Sequence, residues 1–345
     1  MLRYIIKLIP ATLKFQYIRN YGAESKKITK AFLRYSSISF KNKNKSYYES
    51  PPAFFGIWGI NILTWLGFTS GDEEKESELI KILKRAVLCM KKEQYNAAEQ
   101  LLHLALKIAQ EQQNEQGIIY CFDLMANLAL EQLIFDKAEK LFVAVLQILL
   151  SKGVQQNDLK VIHISLKLAR IAQLKAEMEK AELGYQWCLE KIKEQKIDNL
   201  DAQVLSGVIQ DWYAQFLLDK GDTEKALTFL KGAYEVCEET MGSHNEKSML
   251  LLNDLGITSF RAGDMVNAEN YLNKGIKIGH KVDDQTHVGV LHANLGLVLL
   301  HQGIIKQAEK YCVEALKLGT KNKNDETIGQ ANYCFEQIKL ILENK

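Results

Sequence analysis

Six nine-residue strings that each begin with alanine recur along this 345-residue chain, and they restrict its fold more than any other feature. They are AEQLLHLAL from Ala98, AEKLFVAVL from Ala138, AELGYQWCL from Ala181, ALTFLKGAY from Ala226, AENYLNKGI from Ala268 and AEKYCVEAL from Ala308. Four residues after each alanine stands a large or apolar residue: Leu102, Phe142, Tyr185, Leu230, Leu272 or Cys312. Seven residues after it stands a small one or a valine: Ala105, Val145, Cys188, Ala233, Gly275 or Ala315. That spacing lines one face of a helix. Twelve residues before the alanines lie Ala86, Ala126, Ala169, Ala214, Gly256 and Gly296, small in every case. Small residues on both members of a helix pair let the two backbones approach closely.

The chain is otherwise well suited to helix. Its three prolines are Pro10, Pro51 and Pro52, so nothing beyond position 52 carries a ring that would break one. Gly221-Asp222, Gly263-Asp264 and Gly303 fall between the paired segments, where helix terminators belong. After the last repeat, residues 325–343 place Ile328, Ala331, Phe335, Ile338 and Ile341/Leu342 on one face, as a helix covering the open end of a repeat array would.

Charge divides the chain into two unlike parts. Residues 1–50 hold eleven Lys or Arg against Glu24 and Glu49, a balance of +9, and the remainder holds 33 bases against 40 acids, a balance of −7. A mildly acidic folded part argues against nucleic acid as its partner, since phosphate binding needs a basic face. The basic opening interleaves Leu, Ile, Phe and Tyr with its cations and almost omits acids, the composition of a mitochondrial presequence that is removed after import. The alternative is a disordered basic tail on a cytosolic protein, a role in which the apolar residues would have no purpose.

An uncharged run then covers residues 50–71, with Phe54, Phe55, Trp58, Trp65 and Phe68 as its candidate membrane-anchoring residues. As a helix of about 33 Å it would cross a hydrocarbon core of roughly 30 Å. Its strongly apolar part is shorter, and Gly56, Gly59, Asn61 and Gly67 dilute it. A single span of 51–71, an interfacial helix and an element packed on the repeats all remain open. If it spans, Lys41, Lys43 and Lys45 stay on the inner side, and the acidic stretch from Asp72 leads the domain at 76–345 toward the intermembrane space.

Chemistry has little support. Seven histidines form no HExxH or HxH pattern, so no metal site is indicated, and there is no phosphate-binding glycine loop or nucleophile elbow. No cofactor or small-molecule substrate is expected. Ser243-His244 is the most tempting pair, but its place in a loop between repeats accounts for it structurally. Cys89, Cys121, Cys188, Cys237, Cys312 and Cys334 are widely spaced, and several fall on helical core positions, so they read as packed thiols and not as a disulfide framework.

A small residue at position 8, alanine at 20, a bulky residue at 24 and a small one at 27 resembles the tetratricopeptide repeat. That resemblance implies an all-α, right-handed α-solenoid of about six helix pairs with a C-terminal capping helix. The alanines are 40, 43, 45, 42 and 40 residues apart, longer than the standard repeat, and this looks like the kinesin-light-chain type. Met241-Gly242-Ser243-His244-Asn245 followed by Leu251-Leu252-Asn253-Asp254-Leu255-Gly256 is similar to a motif of that type, with Asn245 where proline would stand. Basic leader, short hydrophobic element, acidic juncture and long repeats together resemble the mitochondrial tetratricopeptide repeat protein 19 family. The resemblance implies a non-catalytic scaffold of the inner membrane that maintains respiratory complex III and helps clear fragments of its Rieske iron–sulfur subunit. A cytosolic adaptor of kinesin-light-chain type is the rival reading.

In such repeats the first helix of each pair forms the binding wall, through positions 2, 5, 6, 9, 12 and 13. Those positions hold Tyr120, Asp123, Asn127 and Glu131 in the second repeat and His163, Lys167 and Arg170 in the third. They continue with Asp211, Trp212, Gln215 and Asp219, then Asn253, Asp254 and Arg261, then Asn294 and His301. The candidate partner-binding residues are Asp211, Trp212, Gln215, Asn253, Asp254, Arg261 and Asn294, with Trp212 as the anchor. The carboxylate clamp of chaperone-binding repeats would fall on Asp123, Asn127, Lys167, Val208 and Trp212, of which one matches, so the expected partner is an internal segment or a folded surface of a protein.

Overall fold

The computed structural model describes residues 77–196, 199–242, 244–282 and 286–343. The basic leader, the uncharged run with its five aromatic residues proposed as a membrane anchor, and Ser243 therefore lie outside the described residues. Within the described residues there are thirteen helices and no strand. They are α1 (Glu78–Lys91), α2 (Tyr95–Glu111), α3 (Glu115–Glu131), α4 (Phe135–Ser151), α5 (Leu159–Leu174), α6 (Met178–Ile192) and α7 (Leu200–Asp219). Then follow α8 (Thr223–Met241), α9 (Glu246–Arg261), α10 (Met265–Gly279), α11 (Val288–His301), α12 (Ile305–Asn322) and α13 (Asp325–Glu343). The odd–even pairs from α1/α2 to α11/α12 are the six expected repeats, and α13 packs on α11 and α12.

Two compact units divide the described chain near residue 205. In both, the repeat positions read from the sequence are the core. All six repeat alanines are fully buried, and so are Leu102, Phe142, Tyr185, Leu230, Leu272 and Cys312 one turn later. The crossing is tight enough that a Cβ added to Gly256 would lie 2.6 Å from Leu272 Cγ, and one added to Gly184 would lie 2.7 Å from Ala169 Cβ. The extra length of the repeats is spent both on helices, with α7 at 20 residues and α8 at 19, and on connections such as 152–158.

The turn inside every pair is the same device. Five residues before each repeat alanine the backbone is left-handed: Glu93 (φ 56°), Leu133 (60°), Ala176 (60°), Gly221 (82°), Gly263 (82°) and Gly303 (79°). The following N–H reaches back to a carbonyl five residues earlier, as in Gln94 to Cys89 O at 2.9 Å, Glu177 to Ala172 O at 2.8 Å and Asp264 to Ser259 O at 2.9 Å. This satisfies a carbonyl that the helix end would leave open. Only three of the six turns use the residue suited to that conformation, so the glycine signal covered half of a feature present in all.

Two of the connections between repeats end in side-chain caps. Asp158 accepts from Lys160 N at 2.8 Å to start α5, and Asn245 accepts from Ser248 N at 2.8 Å to start α9. Asn245 stands where the resembled motif has proline, and a cap is what it contributes instead.

Two expectations need correction. The buried face of α13 is Thr327, Ala331, Cys334 and Ile338, so Ile328 and Phe335 sit at its margin and Leu342 is exposed. The cysteines are also not all free thiols: Cys312 of α12 and Cys334 of α13 form a disulfide, with their Cα atoms 6.1 Å apart. Sequence distance hid the pair, because the two cysteines are 22 positions apart, on two helices that a short turn folds back on one another.

A left-handed residue with a Cβ costs roughly 1–2 kcal/mol, against a glycine entropy penalty of roughly 0.5–1 kcal/mol. Ala176→Gly should therefore raise stability by about 0.5–1 kcal/mol in urea unfolding, and Gly263→Ala should lower it by about 1 kcal/mol. A shared sign for the two variants would refute the common turn.

Candidate functional site

Helices α3 and α5 carry the first cluster of wall positions. Asp123 and Asn127 are one turn apart on α3, and Lys167 comes from α5. Lys167 Nζ lies 3.1 Å from Asp123 Oδ1 and 5.0 Å from the centre of the Phe142 ring, with the lysine side chain only 2% exposed. Asn127 Nδ2 donates to Asp123 O at 2.7 Å and to Asp123 Oδ2 at 2.9 Å. Burial pushes His163 well below its ordinary pKa, with the Lys167 charge acting in the same direction. One buried cation and one buried anion neutralise each other here, so the pair acts as part of the core.

The second cluster lies on α7, α9 and α11, and it brings together most of the residues proposed for recognition. Asp211 Oδ2 receives Lys247 Nζ at 2.6 Å. One turn further along α7, Gln215 Nε2 donates to Asp254 Oδ2 at 3.2 Å. Asn253 Nδ2 reaches Asp254 Oδ1 at 3.5 Å, and Asn294 Nδ2 of α11 donates to Asn253 Oδ1 at 2.8 Å. A polar chain thus crosses three successive first helices. Trp212 is half-buried beside it, while Arg261 is exposed at the end of α9 and takes no part in it.

Lys247 is the residue that sequence reasoning missed. It precedes the repeat frame, but it lies in the first turn of α9 and seven residues before Asp254, a spacing that returns to the same helix face. Even with it, the cluster has two carboxyl groups and one ammonium. Burial pushes the Asp254 carboxyl up to about 7, Asp211 pushes in the same direction, and Lys247, Asn253 and Gln215 pull it down without restoring it. What this arrangement can do is accept a further cation and hydrogen bonds. His244, the remaining half of the Ser-His pair, has its Nε2 2.9 Å from Lys281 Nζ. No group of three metal-ligating side chains occurs among the described residues.

Antiparallel pairs closed by small-residue crossings, with polar side chains strung along their first helices, define a protein-binding scaffold of tetratricopeptide type. A tetratricopeptide repeat family model matches residues 205–279, which include α9 and most of α7. Over 296 residues the chain is 37% identical to the tetratricopeptide repeat protein 19 homolog, mitochondrial, of Drosophila melanogaster, covering 84% of this chain and 80% of that one. It is 33% identical over 269 residues to the human tetratricopeptide repeat protein 19, mitochondrial, covering 74% of this chain and 70% of the relative. The chain belongs to the tetratricopeptide repeat protein 19 family. Among solved structures it is similar to BtubC (BKLC) from P. vanneervenii, with a TM-score of 0.57 and 18% identity over 72% of this chain and 94% of that one. It is also similar to the apo form of RapI, at 0.52 and 14%, over 77% and 100%. These two likenesses speak for the helical repeat fold alone.

Because the Asp254 carboxyl is raised in the folded state, it holds a proton in the native protein that it has lost in the unfolded chain between about pH 4 and 7, and its contribution to stability falls as pH rises through that range. Asp254→Asn should flatten the fall by up to ~1.4 kcal/mol per pH unit, the limit for one proton. Urea midpoints at pH 5 and pH 7 measure it, and parallel profiles for variant and wild type would place the proton elsewhere.

Proposed function

We propose that the chain is a non-catalytic scaffold of the mitochondrial inner membrane that holds a segment of respiratory complex III and assists in clearing fragments of its Rieske subunit. The observation that carries the recognition part is the polar chain on α7, α9 and α11 with its surplus carboxyl. A scaffold needs no such feature for stability, because buried polar groups add less to it than apolar packing would. A partner side chain bearing Lys or Arg would supply the missing charge, so electrostatics would set register while the half-buried Trp212 supplies contact area. The mitochondrial assignment is supported by the names of the relatives and by the basic leader. The complex III assignment rests on the family resemblance.

In this reading residues 1–50 are the presequence, 51–71 attach the mature protein to the inner membrane, and 76–345 are the binding domain. Among the described residues no helix is long and apolar enough to cross a membrane, and the uncharged run lies outside them.

Truncating a true hot spot costs about 2 kcal/mol or more, over tenfold in affinity. Trp212→Ala, shown folded by circular dichroism, should therefore recover less than a tenth of the complex III subunits that co-precipitate with the wild type from mitochondria. Undiminished recovery would move the site off this wall. Absence of complex III from the wild-type precipitate would remove the partner assignment.

The full chain incubated with energised mitochondria should become shorter and protease-protected, and the product should stay in the membrane pellet after carbonate extraction if 51–71 span. A chain that stays full-length and protease-sensitive would favour the cytosolic adaptor. Release by carbonate would exclude the span and leave an interfacial helix.

A further inference from the structure

The Cys312–Cys334 bond joins the last repeat to the helix that closes the array, and its surroundings give it a history. Both cysteines are fully buried. A Cβ added to Gly296 of α11 would lie 2.6 Å from Cys312 Sγ and 3.1 Å from Cys334 Sγ, so the missing side chain at position 296 is what leaves room for the bond. The Cα separation of 6.1 Å lies within the range that disulfides adopt. The other four cysteines are free, and burial raises the thiols of Cys121, Cys188 and Cys237, which keeps them from exchange in the native state. Only one pair is therefore oxidised among five fully buried cysteines and the half-buried Cys89, so burial alone does not select it.

Thiol–disulfide exchange requires a donor sulfur to approach the attacking thiolate in line. No donor can reach either cysteine once α13 is docked, so the bond must form while α13 is still open. We propose that oxidation of Cys312 and Cys334 is a maturation step that locks the C-terminal helix onto α11 and α12, and that the repeat domain is therefore completed on the oxidising, intermembrane-space side of the inner membrane. A disulfide-carrying oxidoreductase is the class of donor required. One protein thiolate attacks its disulfide to give a mixed disulfide and releases the first donor thiol. The second protein thiolate then displaces the other donor sulfur, leaving one protein disulfide and a donor dithiol that has gained the two electrons and two protons. The same burial that excludes the donor afterwards excludes reductants, so the closed form persists. A compartment held reducing by glutathione and thioredoxin would leave the pair as thiols. The compartment part of this inference rests on the mitochondrial reading, whereas the bond and its locking role do not.

The test uses the full chain expressed in cells. All six cysteines lie beyond residue 88, so removal of a presequence leaves the count unchanged. Rapid acid quenching, denaturation and blocking with N-ethylmaleimide should label four cysteines. The last two, mapped by mass spectrometry to Cys312 and Cys334, should label only after reduction. Six labels without reductant would overturn the bond. Locking is read by limited proteolysis of the native protein: dithiothreitol under mild denaturant should speed cleavage in α13 of the wild type at least several-fold. It should leave the Cys312→Ala/Cys334→Ala variant unchanged, since alanines keep the seam packed. Equal cleavage of the wild type with and without reductant would overturn the locking role. Rupture of the outer membrane should expose the domain to added protease, and an oxidised domain that stays protected would overturn the compartment. A chain found outside mitochondria would sink the functional reading while the thiol count still decided the bond.

Discussion

The close crossing of two helices at a pair of small residues is the contact on which everything else in this chain depends. Helix axes pack 8–10 Å apart according to the side chains at the contact, and alanine or glycine on both sides sets the short end of that range. Once the crossing is fixed, the residue four positions on must fill the space that opens beside it, which is why Leu102, Phe142, Tyr185, Leu230, Leu272 and Cys312 are all fully buried despite their different shapes. The left-handed residue five positions before each alanine sets where the second helix begins, so turn and crossing specify one geometry jointly. That Glu93, Leu133 and Ala176 accept an unfavourable conformation shows the crossing outweighing local preference.

Given that frame, the polar groups on the first helices divide into two kinds. Asp123 and Lys167 spend their charges on each other, and Asn127 closes the remaining carboxylate valence, so little is left to offer a partner. Asp211 and Lys247 form an equivalent pair, but Asp254 stands next to it with amides and no cation of its own. The same physical cost, a charge drawn out of water, is compensated internally in one unit and left partly open in the other. The difference follows from a single extra acid one position after Asn253, where the repeat exposes two adjacent residues to the same wall.

Much of this was legible because the helical period and the crossing residues leave a mark every 40 to 45 residues. The pairs, the buried alanines and the wall positions from Asp211 to Asn294 could be counted directly from it. What escaped counting depends on contacts between positions with no fixed spacing. Lys247 lies outside the repeat frame and is revealed only by its seven-residue distance from Asp254. The non-glycine turns look like ordinary helix ends, since nothing in Glu93, Leu133 or Ala176 advertises a positive φ. On α13 two apolar faces one residue out of step compete, and the sequence favours the larger Phe335. The narrow space over Gly296 instead selects the smaller Cys334 and turns Phe335 to the margin.

The polar site and the covalent closure are connected by the way a repeat array comes apart. Each element is held by its neighbours alone, so an array frays from its ends, and the stability of an inner helix is bounded by that of the one outside it. In the second unit the outermost helix is α13, which packs on α11, and α11 carries the Asn294 amide that ends the polar chain. Opening of α13 would uncover α11 before any other first helix, and the Asn294–Asn253 bond would be the first of the chain to loosen. A non-covalent cap with a seam of Thr327, Ala331 and Ile338 buries few large side chains, and Leu340 and Leu342 remain exposed on the same helix. The disulfide compensates for that thin seam where fraying would first reach the Asn294 end of the polar chain.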